Sequence, residues 1–129
     1  MGCSVYRRLL VKTEIISSTA IDVFPIHKKQ VEAFKIKYKV GPLAIEGFIV
    51  KPIHIIGTCP AIIYNRGGNR DYGAIDETTL AYLAYLATQG YVVMASQYRG
   101  NSFSDGQDEF GGEDIKDDLA LIDIANNTD

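Results

Sequence analysis

Residues 60–69 read Pro60-Ala-Ile-Ile-Tyr-Asn-Arg-Gly-Gly-Asn69. The run from Ala61 to Tyr64 is apolar on both faces of an extended chain and is bounded by Pro60 and by two glycines. This pattern is typical of a short strand buried in a parallel sheet. Because Gly67 and Gly68 lack a Cβ, we expect the loop after the strand to let its backbone approach another molecule closely.

A helix and a second strand are predicted after this loop. Asp76 can cap the start of the helix, and Gly90 can end it in the left-handed conformation. The apolar face recurs at steps of three and four residues and consists of Leu80, Leu83 and Ala87. Residues 91–95 are then apolar throughout and predict a second buried strand.

A second helical period follows and extends to about Asn126. Its predicted apolar face consists of Ile115, Leu119 and Ile122. Asp117 and Asp118 are expected to point away from that face. The succession of strand, helix, strand and helix predicts a parallel sheet with right-handed crossover connections.

An antiparallel hairpin is predicted before these elements, over residues 34–51. Apolar residues alternate with Lys35, Lys37 and Lys39, and the return strand alternates in the same way after Gly41-Pro42. The predicted fold class is therefore α/β, in which an amino-terminal hairpin leads into a parallel sheet with flanking helices. We divide the chain into an extension of unclear structure, residues 1–31, and a domain, residues 32–129.

Composition is typical of a globular protein. The chain has 129 residues, of which 47% are hydrophobic and 22% charged, and its net charge of −3 does not favour nucleic-acid binding. No apolar run is long enough to span a membrane. Cys3 and Cys59 are too few for a disulfide framework or a metal site. We therefore expect a cytoplasmic protein that uses neither a metal nor a cofactor.

Acidic residues dominate the chain from Asp105 onward, where Lys116 is the only lysine or arginine. We interpret this region first as the solvated face of a helix. A calcium loop is the alternative, because residues 105–109 cluster oxygen ligands. That segment lacks the Asp-x-Asp-x-Asp-Gly spacing and the closing glutamate of a calcium-binding loop.

Over residues 32–126 the order of elements resembles the α/β-hydrolase fold, and most closely the catalytic domain of the prolyl oligopeptidase and dipeptidyl peptidase family. The resemblance is carried by ordered segments: Gly47 with Pro52, Arg66-Gly67-Gly68, Gly90-Tyr91-Val92-Val93, Tyr98-Arg99-Gly100, Ser104-Asp105-Gly106, and Gly112 with Asp114 and Asp118. It implies a serine peptidase or esterase that acts on a peptide or ester substrate. The Gly-x-Ser-x-Gly turn that presents a hydrolase serine is missing from the chain. The resemblance therefore implies that the catalytic serine, aspartate and histidine lie beyond Asp129.

The resemblance also implies that the loop Arg66, Gly67, Gly68 and Asn69 contributes to an oxyanion hole. A serine attacking a carbonyl creates an oxyanion, and each preorganised N–H donor aimed at it contributes about 3 to 4 kcal/mol. Related enzymes often have histidine or tyrosine where this chain has Arg66. The backbone N–H groups of Gly67, Gly68 or Asn69 are therefore the stronger candidates. Alternatively, the glycines only make a tight turn.

Two functions of different classes remain open. The first is a fragment of a serine hydrolase that is inactive alone; the second is a noncatalytic α/β interaction module. In the hydrolase order, the strand at Ala61 to Tyr64 pairs with the missing nucleophile strand. Left alone, it exposes a sheet edge. A fragment is therefore expected to form a homo-oligomer or to pair with its missing half through that edge. A nucleotide-binding domain is a weaker idea, because the loop lacks both common phosphate-binding glycine patterns.

Overall fold

The computed structural model describes residues 13–68 and 71–127. Within these residues, five strands form one sheet: β1 (Ile15–Ile21), β2 (Val31–Val40), β3 (Leu43–Pro52), β4 (Ala61–Tyr64) and β5 (Val92–Ser96). The two helices of the described chain are α1 (Glu77–Thr88) and α2 (Ile115–Asn127). The strand order across the sheet is β1-β2-β3-β5-β4. The predicted α/β class is confirmed.

The predicted hairpin is present and slightly longer than expected. Strands β2 and β3 pair in antiparallel fashion from Val40 opposite Leu43 back to Val31 opposite Pro52. Gly41 takes a φ of 57° in the turn between them, a backbone conformation that glycine adopts without strain. Strand β3 then pairs antiparallel with β5, and β5 pairs parallel with β4, so the sheet is mixed.

Strand β1 lies inside the segment that the sequence left without structure. It pairs antiparallel with β2, and Ile21 lies opposite Ala33. Its sequence, Ile-Ile-Ser-Ser-Thr-Ala-Ile, lacks the apolar alternation that marks a half-buried strand, and most of its residues are exposed. The backbone pairing with β2 places these residues in a strand, and such long-range pairing leaves no local pattern.

Helix α1 covers one face of the sheet, as its apolar spacing predicted. Leu83, Ala84 and Ala87 of the helix are buried in one cluster with Phe48 and Val50 of β3. The predicted cap is confirmed, because an oxygen of Asp76 accepts a hydrogen bond from the N–H of Thr79 at 2.9 Å. Gly90 follows the helix with a φ of 98°.

Helix α2 covers part of the opposite face, but not with the residues that the sequence indicated. Its buried residues are Asp117, Leu121 and Ile124. The residues of the predicted apolar face are exposed instead, by 53% at Ile115, 56% at Leu119 and 46% at Ile122. Both sets have helical spacing. The set that contains an aspartate is buried because Asp117 has a cationic partner inside the protein, Arg99.

Neither helix in the described ranges is long and apolar enough to cross a membrane.

Candidate functional site

The candidate site lies where β4 and β5 end, which is the side of a parallel pair where α/β proteins bind ligands. The loop after β4 begins with Arg66, which is only 5% exposed. Its guanidinium donates to the main-chain oxygen of Gln97 at 3.0 Å and to that of Tyr72 at 2.9 Å. Arg66 therefore ties its own loop to the end of β5 and to the segment before α1.

Gln97 extends this connection. Its side-chain oxygen accepts from the N–H of Ile75 at 3.0 Å, and its side-chain nitrogen donates to the oxygen of Ile75 at 2.9 Å. Burial lowers the pKa of Arg66, and the carboxylate of Asp108 opposes that effect. Arg66 thus positions the loop through its hydrogen bonds.

Close backbone contacts require glycine at Gly68 and at Gly73. Gly68 has a φ of 75°, and a Cβ on it would lie 2.1 Å from the main-chain oxygen of Tyr72. A Cβ on Gly73 would lie 2.2 Å from the oxygen of Gly67. Any larger residue at Gly68 or Gly73 would push these two backbone segments apart.

Gly67 and Gly68 leave their backbone donors available. Among the described residues, neither N–H group has a hydrogen-bond acceptor. A Cβ built on Gly67 meets no atom within 4 Å, so this position faces open space. Asn69, the remaining predicted donor, lies outside the described residues.

An open cavity of about 320 Å³ adjoins this loop. Its lining includes Gly68, the first residues after β5 and the start of α2, and consists of Arg66, Gly68, Tyr98, Asp108, Phe110, Gly111, Asp114, Ile115 and Asp118. The loop that the sequence singled out therefore borders a space large enough for part of a substrate.

Two residues that line the cavity have a strained backbone: Phe110, with a φ of 54°, and Tyr98. The Tyr98 φ of 65° lies in the left-handed region, which costs of order 1 to 3 kcal/mol for a residue other than glycine. Its N–H donates to the side-chain oxygen of Ser96 at 3.0 Å, and its hydroxyl donates to Asp118 at 2.9 Å. These two bonds hold the ring at the cavity wall. Burial raises the pKa of the Tyr98 hydroxyl, so it remains a donor near neutral pH.

Asp118 carries a perturbed carboxyl group. Burial raises its pKa to about 6, and the nearby charges of Asp117 and Asp114 add to the effect, while the bond from Tyr98 opposes it. One oxygen, Oδ1, is buried and has no hydrogen-bond partner in the described part of the chain. Tyr98 and Asp118 belong to the segments whose order resembles the hydrolase fold, but no sequence pattern assigned either residue a role at the site.

The expectation of a fully solvated acidic face is wrong for two residues. Asp114 is buried and accepts from the N–H of Gly111 at 3.0 Å. Asp117 is fully buried and binds Arg99 through a 2.8 Å ion pair and through a 2.8 Å bond from the Arg99 N–H. These acids hold the loop between β5 and α2 in place.

The acids of the alternative calcium loop also bond to the protein itself. Asp105 accepts from the N–H of Ala44 at 3.0 Å, and Asp108 accepts from the N–H of Phe110 at 3.0 Å. Ser104, the residue before Asp105, accepts from the N–H of Glu46 at 2.8 Å. The described part of the chain contains no group of three His, Cys, Asp or Glu side chains arranged to hold a metal.

No protein family profile matches the chain. It is 32% identical over 94 residues to the uncharacterized peptidase YtmA of Bacillus subtilis, an alignment that covers 73% of this chain and 35% of that protein. The chain thus spans about a third of the length of this curated relative.

Solved structures share the fold. A hydrolase from Legionella pneumophila superposes with a TM-score of 0.62 at 20% identity, covering 87% of this chain and 39% of that one. Acetyl xylan esterase 1 from Thermoanaerobacterium superposes with a TM-score of 0.52 at 22% identity, covering 91% of this chain and 37% of that one. The acetyl xylan esterase of Paenibacillus superposes with a TM-score of 0.51 at 18% identity, covering 86% of this chain and 33% of that one. The chain has the α/β-hydrolase-like fold of these proteins over a third or more of their length.

Proposed function

We propose that this chain is the amino-terminal part of a serine hydrolase domain that transfers an acyl group from a peptide or ester to water. Similarity to a protein named as a peptidase, and a fold shared with hydrolases and esterases, support this class. Relatedness to the prolyl oligopeptidase family is the finer proposal, supported by the order of glycine-containing segments along the chain. A cytoplasmic location belongs to the same proposal.

One observation carries the proposal: the N–H groups of Gly67 and Gly68 have no acceptor among the described residues, and Gly68 lines the cavity at the ends of β4 and β5. When a serine attacks a substrate carbonyl, the carbonyl oxygen becomes negative and needs fixed donors. Donors that are already oriented stabilise this charge without reorganisation. In our proposal, one of these two N–H groups supplies one donor, and the residue after the nucleophile supplies the other.

Arg66 has a positioning role in this scheme. Its guanidinium is engaged by main-chain oxygens of Gln97 and Tyr72, so it holds the loop in the conformation that exposes the glycine N–H groups. The nucleophilic serine, the aspartate and the histidine would come from a segment outside the 129 residues, either later in the same polypeptide or in a second one.

The test is labelling by a fluorophosphonate probe, which reacts covalently with an activated serine. The protein is purified from its own source, with every segment and subunit that accompanies this chain. Its intact mass is compared with the reading frame. Labelling, together with hydrolysis of nitrophenyl esters or peptide nitroanilides, supports the proposal. A protein that never labels and cleaves neither substrate contradicts it and favours a noncatalytic interaction module.

A further inference from the structure

An apolar surface lies at the end of the sheet opposite the candidate site. The loop between β3 and β4 contributes three exposed isoleucines, Ile53, Ile55 and Ile56, of which Ile56 is 97% exposed. The turn before β2 adds Ile26, which is 80% exposed. The N–H of Ile53 donates to the oxygen of Gln30 at 2.9 Å, so the loop and the turn are joined. We call these four residues the isoleucine surface, because single exposed apolar residues are ordinary but a group of them marks a contact surface.

Lysines accompany the isoleucine surface. Residues 24–30 and 53–60 contain Lys28 and Lys29 but neither aspartate nor glutamate. Both lysines are exposed, and neither has an ion pair within the described residues. An open cavity of about 390 Å³ is lined by Lys29 together with Ile55 and Ile56, and no acidic side chain of the described chain lines it. The surface is therefore apolar with positive charge beside it.

The acids that flank these segments in sequence are engaged elsewhere. Glu32 of β2 pairs with Lys51 of β3 at 3.6 Å. Asp22 lines a different cavity together with Glu77, at the start of α1 and thus toward the candidate site. The charge of Lys28 and Lys29 is therefore available to an external anion.

Charge differs between the two ends of β4 and β5. The isoleucine surface lies where these strands begin, since its cavity is also lined by Cys59, just before β4, and by Gly90, just before β5. The candidate site lies where they end. There the loop between β5 and α2, residues 97–114, contains five acids against one cation, Arg99. A negatively charged surface therefore attracts the isoleucine end and repels the site end.

We propose that the isoleucine surface, with Lys28 and Lys29, docks this protein on an anionic lipid bilayer. Ile56 and its neighbours enter the boundary between headgroups and acyl chains, and the lysines contact the negative groups of the lipids. The candidate site then faces the aqueous phase, where water-soluble substrates reach it. The proposal goes beyond the hydrolase activity and does not depend on it.

The chemistry of the surface favours lipid over another protein. A symmetric dimer through this surface would bring Lys28 and Lys29 of both chains together, and like charges at an interface are repulsive. Ile56 has almost no neighbouring surface to share a contact with, since it is nearly fully exposed. A fluid bilayer accepts such a side chain without a complementary pocket, whereas a protein partner must supply one.

The test is sedimentation of the protein, with all its accompanying segments, together with lipid vesicles. Vesicles of phosphatidylcholine mixed with phosphatidylserine are anionic, and vesicles of phosphatidylcholine alone are neutral. We expect about tenfold or more tighter binding to the anionic vesicles, because each lysine near an anionic surface contributes to the affinity. This preference should fall as the salt concentration rises, because salt screens exposed charges.

Two pairs of variants separate the apolar from the electrostatic contribution. Ile56→Asp is expected to weaken binding to anionic vesicles by about tenfold or more, because it removes an aliphatic contact with the lipid. Its control, Phe103→Asp, changes an exposed apolar residue at the site end and should leave binding unchanged. Lys29→Glu is expected to weaken binding by about fivefold or more. Its control, Lys39→Glu, alters the net charge equally at an exposed position of β2 away from the surface.

Three results would overturn docking on lipid. The first is a wild-type protein that does not sediment with anionic vesicles, or controls that weaken binding as much as their partners. The second is a fall in the unfolding temperature of the full protein with Ile56→Asp but not with Phe103→Asp, because an accompanying segment then covers Ile56. The third is a dimer that Ile56→Asp converts to a monomer, which assigns the surface to a second copy. None of these measurements uses fluorophosphonate labelling or hydrolysis, so the two proposals fail separately.

Discussion

The guanidinium of Arg66 lies 3.0 Å from the main-chain oxygen of Gln97, and this bond joins the loop after β4 to the end of β5. The same side chain reaches the oxygen of Tyr72 at 2.9 Å. A planar group with several fixed donors can satisfy both oxygens at once. The two strand ends that border the cavity are therefore held at a set distance by one residue.

Replacing Arg66 with lysine is expected to lower the free energy of unfolding by about 1 to 3 kcal/mol. Lysine is a point charge and cannot reach both oxygens, so at least one buried carbonyl loses its partner. Urea unfolding followed by circular dichroism measures the change. The matched control is Lys39→Met, which removes an exposed cation from β2 and should change stability by no more than about 0.5 kcal/mol. Equal losses of unfolding free energy in the two variants would contradict the role of Arg66 in joining its loop to the end of β5.

The buried Arg99–Asp117 ion pair predicts that substitutions at the two residues have strongly non-additive effects on stability. Asp117 is fully buried and receives the Arg99 side chain at 2.8 Å. Asp117→Asn leaves a nearly buried cation without its charge partner and is expected to cost about 3 to 5 kcal/mol. Arg99→Met combined with Asp117→Asn should cost clearly less than the sum of the two single changes. A double-mutant cycle by chemical denaturation measures this, and strictly additive values would mean that the pair is not coupled.

Two substitutions at Gly67 separate the role of its N–H from the role of its space. Gly67→Ala keeps the N–H, and its added Cβ meets nothing within 4 Å. Hydrolysis by the full protein that contains this chain should therefore be little changed. Gly67→Pro removes the N–H. If that group is the oxyanion donor, kcat should fall by about 100-fold or more with little change in KM. Unfolding temperatures of both variants serve as the control for folding. A proline variant that folds and keeps its kcat assigns the donor to another residue, of which Gly68 is the first choice.

Asp118 predicts a definite pH dependence. Its pKa in the folded protein is raised to about 6 from an ordinary value of 3.8, so between these values the folded state binds more protons than the unfolded state. The contribution of Asp118 to stability is therefore most favourable below about pH 4 and is lost as the pH rises through 6. Asparagine can still accept the bond from Tyr98 and carries no charge. Asp118→Asn should thus gain stability relative to the wild type as the pH rises from 4 to 7.

The measurement for Asp118 is urea unfolding of both proteins at several pH values in that range. Taking the difference between the two proteins cancels the contributions of titrating groups that do not interact with Asp118. A difference in stability that stays constant from pH 4 to 7 would show that the carboxyl group titrates normally.

Local sequence was sufficient for most of the elements around the site. The lysine alternation and Gly41-Pro42 predicted the hairpin, and Asp76 with Gly90 predicted both ends of α1 within one or two residues. The short apolar run Ala61 to Tyr64 predicted β4 correctly. These features depend on backbone preferences and on contacts between near neighbours, which the residues themselves specify.

Features that depend on partners distant in sequence were decided by the tertiary structure alone. The spacing of Ile115, Leu119 and Ile122 was sufficient to predict a helix to about Asn126, but the buried residues 117, 121 and 124 have helical spacing too. Arg99 favours the set that contains Asp117, because a buried carboxylate needs partners that replace the water it loses, and here the partner is a cation. For Arg66 the sequence permitted either a solvated or a buried side chain. The fold buries it, because the main-chain oxygens of Gln97 and Tyr72 lie within hydrogen-bond distance of its guanidinium. The periodicity of apolar residues depends on neighbours in sequence and therefore predicts local structure. The burial of a charge depends on the group that the fold places opposite it.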